Sequence, residues 1–133
     1  MPEYGLEWPN VEQLVVAWLK ARTNLYVCTE RPDDLAALAD SRGVVQVSRA
    51  GGAGAALEKR VDVELEAFAA DRAHLWDDVV SVLERAMFDL AGDGGDHGYV
   101  DDVENLFAFA GEPHPNPSVR YATGTFSITV RPL

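Results

Sequence analysis

The sequence has little of what a secreted, membrane-bound or nucleic-acid-binding protein needs. Its single cysteine, Cys28, lies in an apolar stretch, so no internal disulfide can form and a reducing compartment is favoured. It has 11 basic residues against 22 acidic ones, a formal net charge of −11. Because DNA affinity comes largely from Lys and Arg contacts to phosphate, we expect no tight nucleic-acid binding. With no recognisable signal peptide and no apolar stretch near the roughly 20 residues that cross a bilayer, no membrane partner is expected.

Groups that carry catalysis or bind metals are also sparse. The three histidines share no helix-face spacing and no cysteine joins them, so a zinc site is not expected. The Gly51–Gly54 stretch lacks the Lys-Ser/Thr ending of a phosphate loop. The aspartates near the second glycine cluster do not match a calcium loop and are interpreted as a solvated turn. We therefore expect no catalytic residue, no metal, no cofactor and no enzyme activity. The histidines and aspartates concerned are His74, His97, His114, Asp93, Asp96 and Asp101.

Two segments have the apolar periodicity of helices. The first begins after Asn10, a good N-cap, and continues to Arg22, with apolar residues at three- and four-residue spacing. The second begins at Asp71, whose carboxylate suits the positive end of a helix dipole, and ends at the glycines from Gly92. The stretch Leu35–Ala39 is compatible with a short helix or with a loop anchored by its leucines, and we favour the anchored loop.

Strand patterns fill most of the remaining chain. Leu25–Thr29 is a short candidate, and Val44–Ala50 is followed by Glu58–Phe68, in which apolar and charged residues alternate strictly. Tyr99–Phe109 and Tyr121–Arg131 complete the set. Together with the two helices, these strands predict one α+β domain over residues 1–133, with a mostly antiparallel sheet of about four to five strands packed against two main helices.

Two loops and one row of carboxylates stand out. Residues 51–57 are rich in glycine and alanine and predict a mobile hairpin loop, and residues 111–117 form a proline-stiffened loop. On the strand between them, Asp62, Glu64 and Glu66 share one face, with neighbours some 6–7 Å apart. Paired carboxylates can perform acid–base catalysis, but a row on an outward face is more often a solvated surface, and we favour the surface.

The order of these pieces resembles the tail terminator proteins of long-tailed bacteriophages. The resemblance rests on a first helix and short strand, a strand ending near Arg49 and the glycine-rich loop, a "VDVELEAFA" strand running into a helix that begins Asp71-Arg72-Ala73, the proline-rich segment, and a last strand ending in Val130-Arg131. It covers nearly the whole chain. These are patterns of order and not an invariant motif.

The resemblance implies a structural, non-enzymatic virion protein at the head-proximal end of the tail, assembled in the host cytoplasm. Such proteins form a six-fold ring that ends the tail tube, so the implied partners are further copies of the chain, the tube protein and the head–tail connector. DNA would pass through the ring, and the row Asp62, Glu64 and Glu66 would repel it if it faced the lumen. By the same analogy the candidate docking residues are Gly51, Gly52, Gly54, Pro113, Pro115 and Pro117, and the candidate interface charges are Arg49, Arg120 and Arg131.

Three other classes remain open on the sequence, and one of them is a small enzyme whose site is built from loops. Another connector or completion protein of the head–tail joint would differ only in the partners it contacts. An acidic inhibitor or DNA mimic would be a monomer with phosphate-like carboxylate spacing and salt-sensitive binding to a basic partner. Formation of a closed ring separates the virion proteins from the inhibitor.

Overall fold

A five-stranded mixed sheet organises the fold. The computed structural model describes residues 7–54, 59–93 and 95–133. The strand order is β1-β2-β3-β5-β4; β1 and β2 are parallel and every other neighbouring pair is antiparallel, which confirms the α+β class and the mostly antiparallel sheet. In chain order the elements are α1 (Val11–Arg22), β1 (Tyr26–Cys28), α2 (Leu35–Ser41), β2 (Val44–Gly54), β3 (Lys59–Ala69), a π-helical segment (His74–Val80) continuing into α3 (Ser81–Asp89), a 3₁₀ turn (Gly95–His97), β4 (Val100–Glu112) and β5 (Arg120–Val130).

The main core lies between one face of the sheet and the long helices. This helix-covered face carries alternate strand residues, and α1, the π-helical segment and α3 close over it with their apolar sides. The predicted helix starts are confirmed by their caps: Asn10 Oδ1 accepts from the Gln13 N–H at 3.1 Å, and Asp71 Oδ1 accepts from the His74 N–H at 2.8 Å. The strand residues in this core include Val45, Val47, Val61, Val63, Leu65, Ala67, Phe126, Ile128 and Val130.

The opposite face, here called the open face, holds a smaller second core around α2. The preference for an anchored loop over Leu35–Ala39 is wrong, because α2 is a helix, and the described residues contain three α-helices where two main ones were expected. Leu35 and Ala39, four residues apart, lie on one side of that helix and pack with Val44 and Phe68. Burial of this apolar side stabilises a helix too short to persist alone.

The hairpin extends further than the glycines suggest. Gly51–Gly54 was expected to be loop, but it continues β2 and pairs with Lys59–Asp62 after an irregularity in register between Arg49 and Gly51. Gly52 has φ +148°, and a Cβ there would lie 2.2 Å from the Arg60 carbonyl oxygen, so glycine permits the close approach of the strands. The rest of the predicted mobile loop, residues 55–57, lies outside the described residues.

Candidate protein-interaction surfaces

The acidic row lies on the open face of the sheet, as the alternation in β3 predicts. Glu64 sits between Ser48 of β2 and Thr125 of β5 in the register. All three carboxylate residues, Asp62, Glu64 and Glu66, are half-buried, and each has a Ser or Thr of β5 beside it in the register. The row is therefore a partly buried strip and not a freely solvated one.

Glu66 is engaged inside the domain. Its Oε2 accepts from the Arg31 guanidinium at 2.9 Å and from the Tyr121 hydroxyl at 2.7 Å, and its side chain is 12% exposed. Burial, followed by the hydrogen bond to Glu66, raises the pKa of Tyr121 well above its usual range. Tyr121 stacks on Phe68 with ring centroids 4.9 Å apart. This carboxylate links the row to the second core, so its first role is structural.

The other two members differ from Glu66. Asp62 Oδ1 lies 3.6 Å from Arg60 Nε, and no hydrogen bond to it exists among the described residues. Glu64 has neither a hydrogen bond nor an ion pair within that same part of the chain. Burial, and then repulsion from Glu66, raises the pKa of the Glu64 carboxyl. Glu64 is thus the carboxylate of the row whose charge is best placed to act on a molecule outside the domain.

The proline-rich loop between β4 and β5 is shorter than the expected 111–117, because Gly111 and Glu112 continue β4 and pair with Ala122 and Tyr121 of β5. Pro113, Pro115 and Pro117 are exposed. Local contacts shape the loop: the Asn116 N–H donates to His114 Nδ1 at 3.0 Å, and the His114 ring meets the Phe68 and Tyr121 rings edge-on at 5.9 Å each. The loop is therefore a shaped projection beside the second core, separate from the glycine-rich end of the hairpin.

The three candidate interface charges fall into different settings. Arg131 forms two hydrogen bonds with the Asp101 carboxylate, and its guanidinium lies 4.6 Å from the centre of the Tyr99 ring. The Asp101 pairing lowers the pKa of Asp101 and raises that of Arg131. Arg49 and Arg120 are exposed. The structure does not bring the three arginines together, and Arg131 is already paired within the chain.

Sequence reasoning missed a protruding edge on β4. The pairing of β4 with β5 is interrupted three times, and one interruption bypasses Leu106. The Asn105 side-chain amide fills this bulge by donating to the Phe107 and Thr125 carbonyl oxygens, each at 3.1 Å. Phe107 is left 70% exposed and Leu106 37%. The mostly polar run from Asp101 to Asn105, which interrupts the alternation expected of a strand, was the available signal for an irregular edge.

Sequence reasoning also missed a basic cleft, because its members are far apart in the chain. The arginine cleft has a volume of about 620 Å³ and is lined by Arg22, Arg42 and Arg85, together with Asp78, Asp89 and His74. Arg22 lies over the Trp18 ring at 3.8 Å, and Trp18 is fixed by a 2.7 Å hydrogen bond from its indole N–H to the Ala86 carbonyl oxygen. A smaller cleft sharing Arg42 continues along β1 past Lys20.

Other functional chemistry has little support in the described residues. No group of three or more His, Cys, Asp or Glu side chains there is arranged to hold a metal ion. Burial raises the pKa of the half-buried Cys28 thiol, despite the opposing effect of Arg31. None of the helices formed by residues 7–54, 59–93 and 95–133 has the length and apolarity to cross a membrane.

Comparison with known proteins gives a fold neighbour. No family model matches the sequence, and no curated protein matches it. A chain in the solved structure of the virion of a native gene transfer agent (GTA) particle has the same fold, with a TM-score of 0.52. The two chains are 13% identical, and the match covers 88% of this chain and 84% of that one. At this identity the likeness shows the fold, and it spans nearly the entire domain of each.

Proposed function

We propose that this chain is a structural, non-enzymatic component of a phage-like virion, and specifically a tail terminator that forms a ring on the end of the tail tube. The observation that carries the proposal is the shared fold with a chain of the GTA virion, which spans 88% of this domain. The sequence resemblance to tail terminators, drawn from the order of strands, loops and helices, points independently to the same class of particle.

The architecture suits assembly into a closed ring. A cyclic ring uses a head-to-tail contact, so each subunit needs two different patches. The sheet ends in two unlike open edges, the three-residue strand β1 and the thirteen-residue strand β4. Exposed strand edges and apolar side chains such as Phe107 are surfaces that partners commonly cover. In this proposal the partners are further copies of the chain, the tube protein and the head–tail connector.

The acidic row gives the ring a way to let DNA pass without binding it. Six copies at −11 each would carry a charge of about −66, and carboxylates facing a lumen repel phosphates. Glu66 and Asp62 have internal neighbours, so Glu64 is the residue whose charge would act most directly on passing DNA. We place the open face toward the lumen in this proposal.

The first test is the native mass of the purified protein. Light scattering across a concentration series, with negative-stain images of large species, is expected to give a mass six times 14.5 kDa and ring-shaped particles. If the protein is monomeric alone, it is added to purified tail tubes. Binding at one tube end with arrested elongation supports the proposal, whereas absence of both rings and tube binding rejects it.

Two related roles are separated by the same measurements. Another head–tail completion protein would form rings but would bind the connector and leave tube elongation unaffected. An acidic inhibitor would stay monomeric and bind a basic enzyme. The open face supports this last role poorly, because a phosphate mimic needs exposed carboxylates and Glu66 is held by Arg31 and Tyr121.

A further inference from the structure

We infer that the arginine cleft of one subunit receives the carboxylates of β4 from the next subunit. The contact joins Arg22 and Arg85 of one copy to Asp102 and Glu104 of another copy. This inference rests on the proposed function, because a ring requires a head-to-tail contact. It adds which two surfaces form that contact.

The lining of the cleft carries a net positive charge, because its three arginines outnumber its two aspartates, Asp78 and Asp89. The sequence has twice as many acidic as basic residues, yet none of Arg22, Arg42 and Arg85 forms an ion pair with a carboxylate of residues 7–54, 59–93 or 95–133. Of the two aspartates in the cleft, Asp78 is held by His74 Nδ1 at 2.8 Å. Guanidinium groups left in this state favour an external carboxylate or phosphate.

The cleft is also shaped before any partner arrives. Arg22 is stacked over Trp18, and Arg42 donates to the carbonyl oxygens of Asn24 and Leu25 at 3.1 and 3.3 Å. Both guanidinium groups are therefore held close to the start of β1. Each has five N–H donors, so some of them are still available to a partner. A partner that binds there loses less side-chain entropy than it would on freely moving arginines.

The matching charge lies at the opposite edge of the sheet. Asp102 and Glu104 are exposed on the outer strand β4, at the margin of the open face. Neither forms an ion pair within the described part of the chain. Their neighbour Asp101 is different, since Arg131 pairs with it. The carboxylates adjoin the bulge that exposes Leu106 and Phe107, so charge and apolar surface occur on the same edge.

A second copy fits both surfaces better than another partner does. β1 and β4 are the two outer strands, so a contact between the arginine cleft beside β1 and the edge of β4 is heterologous and repeats from copy to copy. It also explains how subunits of net charge −11 can associate, because the contact pairs a local basic site with an acidic one. Nucleic acid as the occupant is an outcome of the test below.

The test uses two charge-reversed proteins and their mixture. The cleft variant carries Arg22→Glu and Arg85→Glu, and the edge variant carries Asp102→Arg and Glu104→Arg. Arg42 is left intact because it bonds to the backbone. Each variant alone places like charges at the contact, so we expect its self-association to weaken at least about a hundredfold. The matched controls are Arg72→Glu and Asp77→Arg, exposed residues that lie outside the arginine cleft.

Mixing the two variants supplies the decisive result. In a mixture every contact between unlike copies is again complementary, so alternating rings with an even number of subunits should re-form, which also shows that both variants are folded. Masses are measured by light scattering at low and high salt, and salt should weaken the wild-type contact.

The outcomes separate the contact from the function. Loss in each variant and recovery on mixing supports the contact. If the wild-type protein forms rings and each charge-reversed variant forms them equally well, the contact is overturned and the terminator role stays in place. A wild-type protein that does not self-associate at any concentration or salt also overturns the contact, and the tube assay then decides the function. Binding of a single-stranded oligonucleotide that Arg22→Glu abolishes would identify the cleft as a phosphate site and overturn the contact as well.

Discussion

The two faces of the sheet are made by one alternating sequence but are held together by different forces. On the helix-covered face, the alternate residues of β3 and β5 are fully buried under α1, the π-helical segment and α3. On the open face, the intervening residues are half-buried carboxylates and hydroxyls with a small apolar core at one end. Hydrophobic burial stabilises the first face without regard to direction, whereas the second depends on individual polar contacts.

The largest expected effect on the free energy of unfolding comes from removing a side chain that packs on the helix-covered face. Phe126 is fully buried and lies within 6.0–6.1 Å, ring centre to ring centre, of Phe88 and Phe109. Phe126→Ala should lower the free energy of unfolding by about 3–5 kcal/mol, because it leaves a cavity. Chemical denaturation measures the loss. The control is Thr125→Ala, on the open face of the same strand, which should cost less than about 1 kcal/mol; comparable losses at both positions would contradict the contrast between the faces.

A smaller effect tests the polar contact on the open face. Glu66→Ala and Tyr121→Phe each remove one partner of the 2.7 Å hydrogen bond. Because the acceptor is charged and half-buried, a double-mutant cycle of unfolding free energies should give a coupling of about 1.5–3 kcal/mol. Tyr26→Phe, a half-buried tyrosine on the same face, is the control. A coupling within the additivity error of about 0.5 kcal/mol would mean that the bond does not stabilise the fold.

The smallest effect on stability concerns the unpaired member of the row. Burial raises the pKa of Glu64, so the folded state favours the protonated form and ionisation at neutral pH costs stability. Glu64→Gln should therefore raise the free energy of unfolding slightly at neutral pH, by less than about 1 kcal/mol, and the difference should disappear below the unfolded-state pKa. Denaturation at neutral and acidic pH measures it.

The same variant sharpens the functional side of the comparison. If the open face lines the lumen, particles carrying Glu64→Gln should assemble normally and release DNA more slowly. Asp77→Asn, which removes an exposed carboxylate from the π-helical segment, serves as the control. Normal release from fully assembled Glu64→Gln particles would count against a lumen-facing row.

Local sequence rules predicted the parts of the fold that local physics determines. The caps at Asn10 and Asp71 were predicted because a short side chain satisfies nearby backbone N–H groups. The alternation in β3 predicted which side chains face the long helices. The helix α2 was missed because its stability comes from packing against Val44 and Phe68, which are distant in the chain. The strand character of Gly51–Gly54 was missed because glycine alone indicates a loop, while a paired partner strand extends the hairpin.

By itself, the sequence determined the α+β class, the principal helices, the strand periodicity and the acidic character of one sheet face, since each depends on neighbours within a few residues. Only the tertiary structure decided which charges are available to a partner. Glu66 and Arg131 are paired within the domain, whereas Arg22, Arg42 and Arg85 come together in one cleft from three separate elements. The pairs of Glu66 with Arg31 and of Arg131 with Asp101, and the lining of the arginine cleft, all join residues that are distant in the chain, and only the packing of the elements brings such residues into contact.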